Sequence, residues 1–190
     1  MFRTAIGSTM LLSLFGCTSY PPIKTAPHVD LERFMGDWYV IANLPTFIEK
    51  GAHNAVESYR LNDDGTIATT FTFRDGSFDG EVKTYEPTGY VVDKESNAVW
   101  GMQFIWPIKA DYRIVYVDDD YNQTIIGRER RDYAWIMARC PDVSGERYAA
   151  LVAELGQQGY DTSLLRRVPH RWPNAGHPAN ARLTRAAPNR

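Results

Sequence analysis

The sequence predicts an all-β domain of about eight antiparallel strands, arranged as a sandwich or an up-and-down barrel, with one helix behind them. Three observations predict it. From Gly36 to Arg139, short runs alternate apolar and polar residues, the period-two pattern of half-buried strands. Short turn clusters separate the runs, among them Asn62-Asp63-Asp64-Gly65 and Asp75-Gly76, since glycine after aspartate tolerates positive φ. Helical spacing appears only once the strands are over.

In chain order, Met1–Gly16 opens on Met-Phe-Arg-Thr and runs through Leu11, Leu12, Leu14 and Phe15 to a small residue before Cys17. A basic start, a brief apolar core and a small boundary residue form a secretory signal. It is too short to span a bilayer, which needs ~20 apolar residues. From residue 17 to 30 the chain holds Pro21, Pro22 and Pro27 without periodicity and reads as a tether. The domain is expected over residues 31–172, opening on a helical turn at Leu31–Met35. The first strand runs over Asp37–Leu44, where Gly36-Asp37-Trp38-Tyr39 sets a bulky ring at a strand start. Strands follow at Asn54–Leu61, Thr66–Arg74 and Glu81–Glu86, with Pro87 interrupting before Gly89–Asp93, because proline donates nothing to a ladder. Ala98–Trp106, Asp111–Val117, Gln123–Arg128 and Asp132–Arg139 complete the set. Tyr148, Leu151, Val152 and Leu155 then share one helical face, with Asp142 or Ser144 as cap and Gly156 and Gly159 to stop the run. A short, one-sided helix must lie against the outside of the strands. Ser163–Val168 reads as a brief last strand, and residues 173–190, without an apolar face, as a disordered tail.

Composition narrows the function. A chain of 190 residues with formal charge −2 carries no basic footprint, so no nucleic-acid partner is expected. Two cysteines, Cys17 and Cys140, make no disulfide framework; Cys140 reads as a small, partly buried side chain. The four histidines lie in loops, tether or tail, so neither a metal site nor a cofactor is expected. Asp118-Asp119-Asp120 reads as a solvated turn. No Gly-x-Ser-x-Gly elbow, His-Glu-x-x-His or phosphate loop occurs, and an enzyme is not expected. Aromatics at 13% either fill a core or line a pocket for something apolar.

Two resemblances sharpen this. Leu14-Phe15-Gly16-Cys17 resembles the bacterial lipobox, which implies cleavage before Cys17 and its acylation; Thr18 in place of Asp implies export to the outer membrane. Gly36-x-Trp38-Tyr39, then Tyr112-Arg113-Ile114-Val115-Tyr116-Val117-Asp118-x-x-Tyr121, then Arg131-Asp132-Tyr133-x-Trp135-Ile136-Met137-x-Arg139 resemble, in order, three motifs of the lipocalin family, within it the apolipoprotein D-like bacterial outer-membrane lipoproteins. Val117 stands where many members carry threonine. The resemblance covers about Phe34 to Trp172 and implies an eight-stranded up-and-down antiparallel barrel with the helix packed outside. It also implies that Arg139 lies across Trp38 as the barrel floor, a cation–π contact worth ~2 kcal/mol or more when desolvated.

From that floor, alternation turns Val40 and Ala42 inward on the first strand and Met137, Trp135 and Tyr133 on the last. The same face elsewhere carries Trp100, Met102, Phe104 and Trp106, then Tyr112, Ile114 and Tyr116. Similarity to relatives gives Ala55, Glu57 and Tyr59 on the second strand. An inward Glu57 is costly unless paired; Arg113 or Lys83 is the expected partner, or Glu57 sits near the open end. The family implies a carrier that binds, stores or transports a single-tailed lipid, a lysophospholipid or long-chain fatty acid, in envelope maintenance or stress. It is expected to hang from the outer membrane by its lipid anchor, facing the periplasm; pairing as a homodimer is left open. Two other readings stay open: a carrier of another small hydrophobic molecule such as heme or a pigment, and a structural envelope protein with a filled barrel.

Overall fold

The computed structural model describes residues 21–172. The leader at residues 1–16, Cys17 and the tail at 173–190 lie outside the described residues. A four-residue helix, α1 (Leu31–Phe34), leads into nine strands: β1 (Gly36–Leu44), β2 (Ala52–Leu61), β3 (Thr66–Asp75), β4 (Val82–Tyr85), β5 (Thr88–Asp93), β6 (Val99–Ile105), β7 (Ile108–Val117), β8 (Gln123–Gly127) and β9 (Ala134–Ala138). The helix α2 (Gly145–Gln157), a 3₁₀ turn (Thr162–Leu164) and a two-residue strand, β10 (Arg166–Arg167), follow.

Apart from the break between β4 and β5, the strands from β1 to β9 pair antiparallel in sequence order, β1 pairs with β9 to close the sheet, and β10 pairs with β1. The strands β4 and β5 both pair with β3, Phe71 opposite Tyr85 and Ala68 opposite Thr88, so they are one strand broken at Glu86-Pro87. The result is a closed eight-stranded antiparallel barrel with α2 outside, a closure that leaves no long open edge. Turn chemistry fixes the connections where it was legible: Gly65 at φ 78° and Gly76 at φ 75° turn β2 into β3 and β3 into β4. Ser144 caps α2 by accepting from the Arg147 amide, and Leu151 and Leu155 are its buried face.

Two clusters of buried side chains share the wall. The inner one holds Trp38, Val40, Tyr59, Trp100, Ile114 and Met137. The outer one joins Tyr39, Ile41, Ala42, Val115 and Ile136 to Leu151 and Leu155 of α2. Strict alternation fails where the register slips, between Val40 and Ala42 on β1 and between Ile114 and Tyr116 on β7. A bulge inserts one residue, so the next side chain changes face. Ala42, expected inside, therefore belongs to the outer cluster, and Tyr116, also expected inside, packs against that cluster. Val117 regains the inner side.

Residues 21–30, expected as a tether, instead pack on the barrel. Ile23, Ala26 and Val29 are buried; the Ala26 amide donates to the Ile114 carbonyl at 2.9 Å and the Val29 amide to that of Ser96 at 2.7 Å. Their spaced apolar side chains and backbone donors were masked by the prolines. Cys140, expected partly buried, is exposed and free.

The floor is one clasp. Trp38 is fully buried, and the Arg139 guanidinium carbon stands 3.8 Å from its ring centroid. The guanidinium donates to the carbonyls of Arg33, Phe34, Met35, Asp37 and Tyr121 at 2.8–3.2 Å. Trp38 Nε1 donates to the Phe34 carbonyl at 2.8 Å, and the Phe34 ring stands 5.0 Å from that of Trp38. Trp38→Ala removes a fully buried aromatic that cannot be replaced by collapse, so it is expected to destabilise by ~3–5 kcal/mol. Urea unfolding measures this, and a midpoint equal to wild type contradicts it.

Candidate ligand cavity

Above the floor layer the barrel is hollow. A cavity of about 580 Å³ opens at the end where the β1–β2, β6–β7 and β8–β9 connections meet. Its wall is mostly apolar: Phe71 on β3, Tyr85 on β4, Met102 and Phe104 on β6, Ala110 and Tyr112 on β7, Trp135 on β9 and Tyr133 just before it. Strand alternation supplies these residues, and ring stacking orders them. Trp100 stacks on Tyr112 at 5.7 Å, and Tyr112 on Trp135 at 6.2 Å. Phe47, Ile48 and Ile105 form the lip. Around it large apolar side chains stand in solvent: Phe47 is 84% and Trp106 82% exposed, with Phe104, Ile105 and Ile108 also exposed.

Two buried carboxyl groups enter this apolar wall. Glu49 is 6% and Glu57 8% exposed. Glu49 Oε2 accepts from Asn43 Nδ2 at 2.8 Å and from Trp135 Nε1 at 2.9 Å. Glu57 takes a hydrogen bond with Tyr59, whose hydroxyl in turn bonds that of Tyr112. The cations expected to answer Glu57 do not. Arg113 pairs with Asp111 at 2.9 Å and Glu129 at 3.0 Å, and Lys83 with Glu81 at 2.6 Å. Burial pushes the Glu57 carboxyl up to about 8, with the Glu49 charge adding to the rise and the Tyr59 bond opposing it. Burial likewise raises Glu49, against its hydrogen bonds. Burial first, and the Glu57 charge second, raise both tyrosines well above the ordinary phenol range. A carboxyl without a cation in such a place is held neutral rather than charged.

Of the side chains the sequence set inside, Glu57, Met102, Phe104, Tyr112 and Trp135 stand on the cavity wall. Val40, Tyr59, Trp100, Ile114 and Met137 lie in the packed inner layer with Trp38. Ala42 and Tyr116 are outside it, and Trp106 leaves the barrel at the hairpin tip. Glu49 and Phe47 join the wall from a loop without periodicity, which alternation cannot reach, whereas Arg128, just past β8, continues the inward face of Ile126. Phe71 and Tyr85 alternate properly, but their facing follows only from pairing with each other across β3 and β4. Among the described residues no three His, Cys, Asp or Glu gather as a metal site.

Comparison with known proteins agrees with this architecture. A family model for a lipocalin-like domain matches residues 29–170. Temperature-induced lipocalin-1 of Arabidopsis thaliana is 33% identical over 161 residues, covering 80% of this chain and 85% of that protein. Outer membrane lipoprotein Blc of Citrobacter freundii is 28% identical over 160 residues, covering 83% and 90%. Among solved structures, insecticyanin from the tobacco hornworm Manduca sexta superposes with a TM-score of 0.63 at 18% identity, covering 83% of this chain and 88% of that one.

The raised carboxyl has a measurable consequence. Between the ordinary value of 4.5 and about 8, the unfolded chain has released the Glu57 proton while the folded chain keeps it. Stability supplied by that proton is complete below 4.5 and is lost as pH rises toward 8, with a slope of at most about 1.4 kcal/mol per pH unit. Glu57→Gln is therefore expected to gain stability relative to wild type as pH rises through this window. Urea unfolding of both proteins across it reads the difference, and parallel curves contradict it.

Proposed function

The chain belongs to the lipocalin family, and from that premise we propose that it carries one single-tailed lipid, a lysophospholipid or a long-chain fatty acid, at the bacterial outer membrane. The observation that carries this reading is the cavity itself: hollow, walled by aromatic and aliphatic side chains, shut at the floor and open at one end. Its volume falls within the ~300–1,000 Å³ of small-molecule sites. An acyl chain fits such a wall because it needs no polar partner along its length. The cavity also weighs against a barrel filled by its own side chains.

Cys17 and the similarity to proteins named outer membrane lipoproteins support placement at the envelope. Acylation of Cys17, at ~0.8 kcal/mol per buried CH₂, would anchor the chain once several acyl chains are buried, with the barrel facing the periplasm. Storage or movement of lipid during envelope maintenance or stress fits that location, and binding rather than catalysis fits the site.

Intact-mass spectrometry of the full chain from a bacterial host tests the anchor; loss of residues 1–16 with an acyl increment on Cys17 is expected, and an unmodified Cys17 contradicts it. Native mass spectrometry tests the ligand. One lipid mass per chain, displaced by added lysophospholipid, is expected. Ala110→Trp, which puts an indole into the cavity, should cut that occupancy at least tenfold with the thermal midpoint preserved. A chain that never shifts in mass overturns the carrier reading.

A further inference from the structure

Ionisable groups are distributed unevenly along the cavity. Glu57 stands opposite Trp38 in the register, so it lies low, next to the floor. Glu49 lies higher, tied to Trp135. Neither has a cation beside it. Arg128, at the end of β8 and on the side of the open mouth, is the one cation among the described residues that line the cavity. An anion pushed deep would meet two carboxyl groups and an apolar wall; at the mouth it meets a guanidinium.

That guanidinium is held in place but not used up. The backbone of Arg128 is fixed by Tyr160, whose hydroxyl accepts from the Arg128 amide at 2.7 Å and donates to its carbonyl at 3.0 Å. Its side chain lies over the Tyr133 ring at 5.2 Å, and Nη1 pairs with Asp132 at 3.3 Å. Its Nε–H is buried and has no hydrogen-bond partner, a deficit that native structures rarely leave without a reason. Asp132 is shared with Arg130 at 4.0 Å. The other mouth carboxylate on this side, Asp111, is already answered by Arg113 and by the Glu129 amide. Glu86, across the mouth, is exposed to water.

Resting on the single-tailed lipid reading, we propose that Arg128 is the head-group seat of the cavity: the acyl chain enters first, and the oxyanion of the head group, a phosphate or a carboxylate, is bound by the Arg128 guanidinium at the mouth. A guanidinium suits either oxyanion, because its fork of donors matches their planar or tetrahedral oxygens. Arg128 thus decides which amphiphiles are held, while the wall above Tyr112 and Met102 accepts any chain that fits.

The test compares three ligands with one acyl chain, palmitoyl lysophosphatidate, palmitate and monopalmitoylglycerol, on the full chain by native mass spectrometry and calorimetric titration. Wild type is expected to prefer one or both anionic lipids over the neutral glycerol ester; which of the two is held more tightly identifies the phosphate or the carboxylate as the natural oxyanion. Arg128→Gln should weaken the preferred anion about tenfold and leave monopalmitoylglycerol unchanged. Asp132→Asn, which frees Arg128 from its ion pair, should hold the anion at least as tightly as wild type. Equal loss of all three ligands in Arg128→Gln would mean that the residue only supports the fold, and overturns the proposal. So would an unchanged preference for the anion. If no lipid binds wild type at all, the carrier reading falls and takes the head-group seat with it; binding of all three lipids with no loss in Arg128→Gln leaves the carrier intact and removes the seat alone.

Discussion

The clasp of Arg139 on Trp38 is the contact on which the rest of the barrel depends. One guanidinium at the lower end of the last wall strand gathers carbonyls from α1, from the entry to β1 and from the β7–β8 turn, pieces far apart in sequence. Those carbonyls sit where a helix ends and strands begin, so without the guanidinium they would be buried with too few donors. Its charge lies on the face of an indole, which shields it from the apolar interior. With the floor sealed, Phe34 makes ring contacts with Trp38, Tyr59 and Trp100, and Trp100 passes the stack upward to Tyr112 and Trp135. The cavity wall is the continuation of the floor.

How far this was legible in the sequence depends on the residue. Strand positions were readable because period-two alternation and glycine turns are local, and the floor pair because three motifs fixed the ends of the barrel. Ala42 and Tyr116 were placed on the wrong face for a single reason: each follows a bulge, and an inserted residue leaves no trace in composition. The loop carrying Glu49 has no period to read, so its carboxyl was invisible until the chain folded back to meet Trp135 and Asn43. The segment at 21–30 looked like a linker because prolines dominate it, while Ile23, Ala26 and Val29 find their neighbours only in three dimensions.

The interior combines two solutions to burying polar groups. The Arg139 guanidinium is compensated by the carbonyls that surround it. Glu57 has no cation, so its proton stays with it well beyond the ordinary carboxyl range. The phenols of Tyr59 and Tyr112 complete a small uncharged chain of hydrogen bonds at the bottom of the cavity. A neutral base of this kind is compatible with an apolar tail above it, whereas an ionised one would draw in water.

The exposed rim bears on wetting. Phe47, Phe104, Ile105, Trp106 and Ile108 cluster at the end of the barrel where the cavity opens, while the opposite end is tied down by charge and hydrogen bonds. Water lies against the open pole without strong partners, so the layer an incoming hydrophobic ligand must push aside is held less firmly there than on the rest of the surface. The barrel is itself polarised along its axis, greasy at one pole and hydrated at the other.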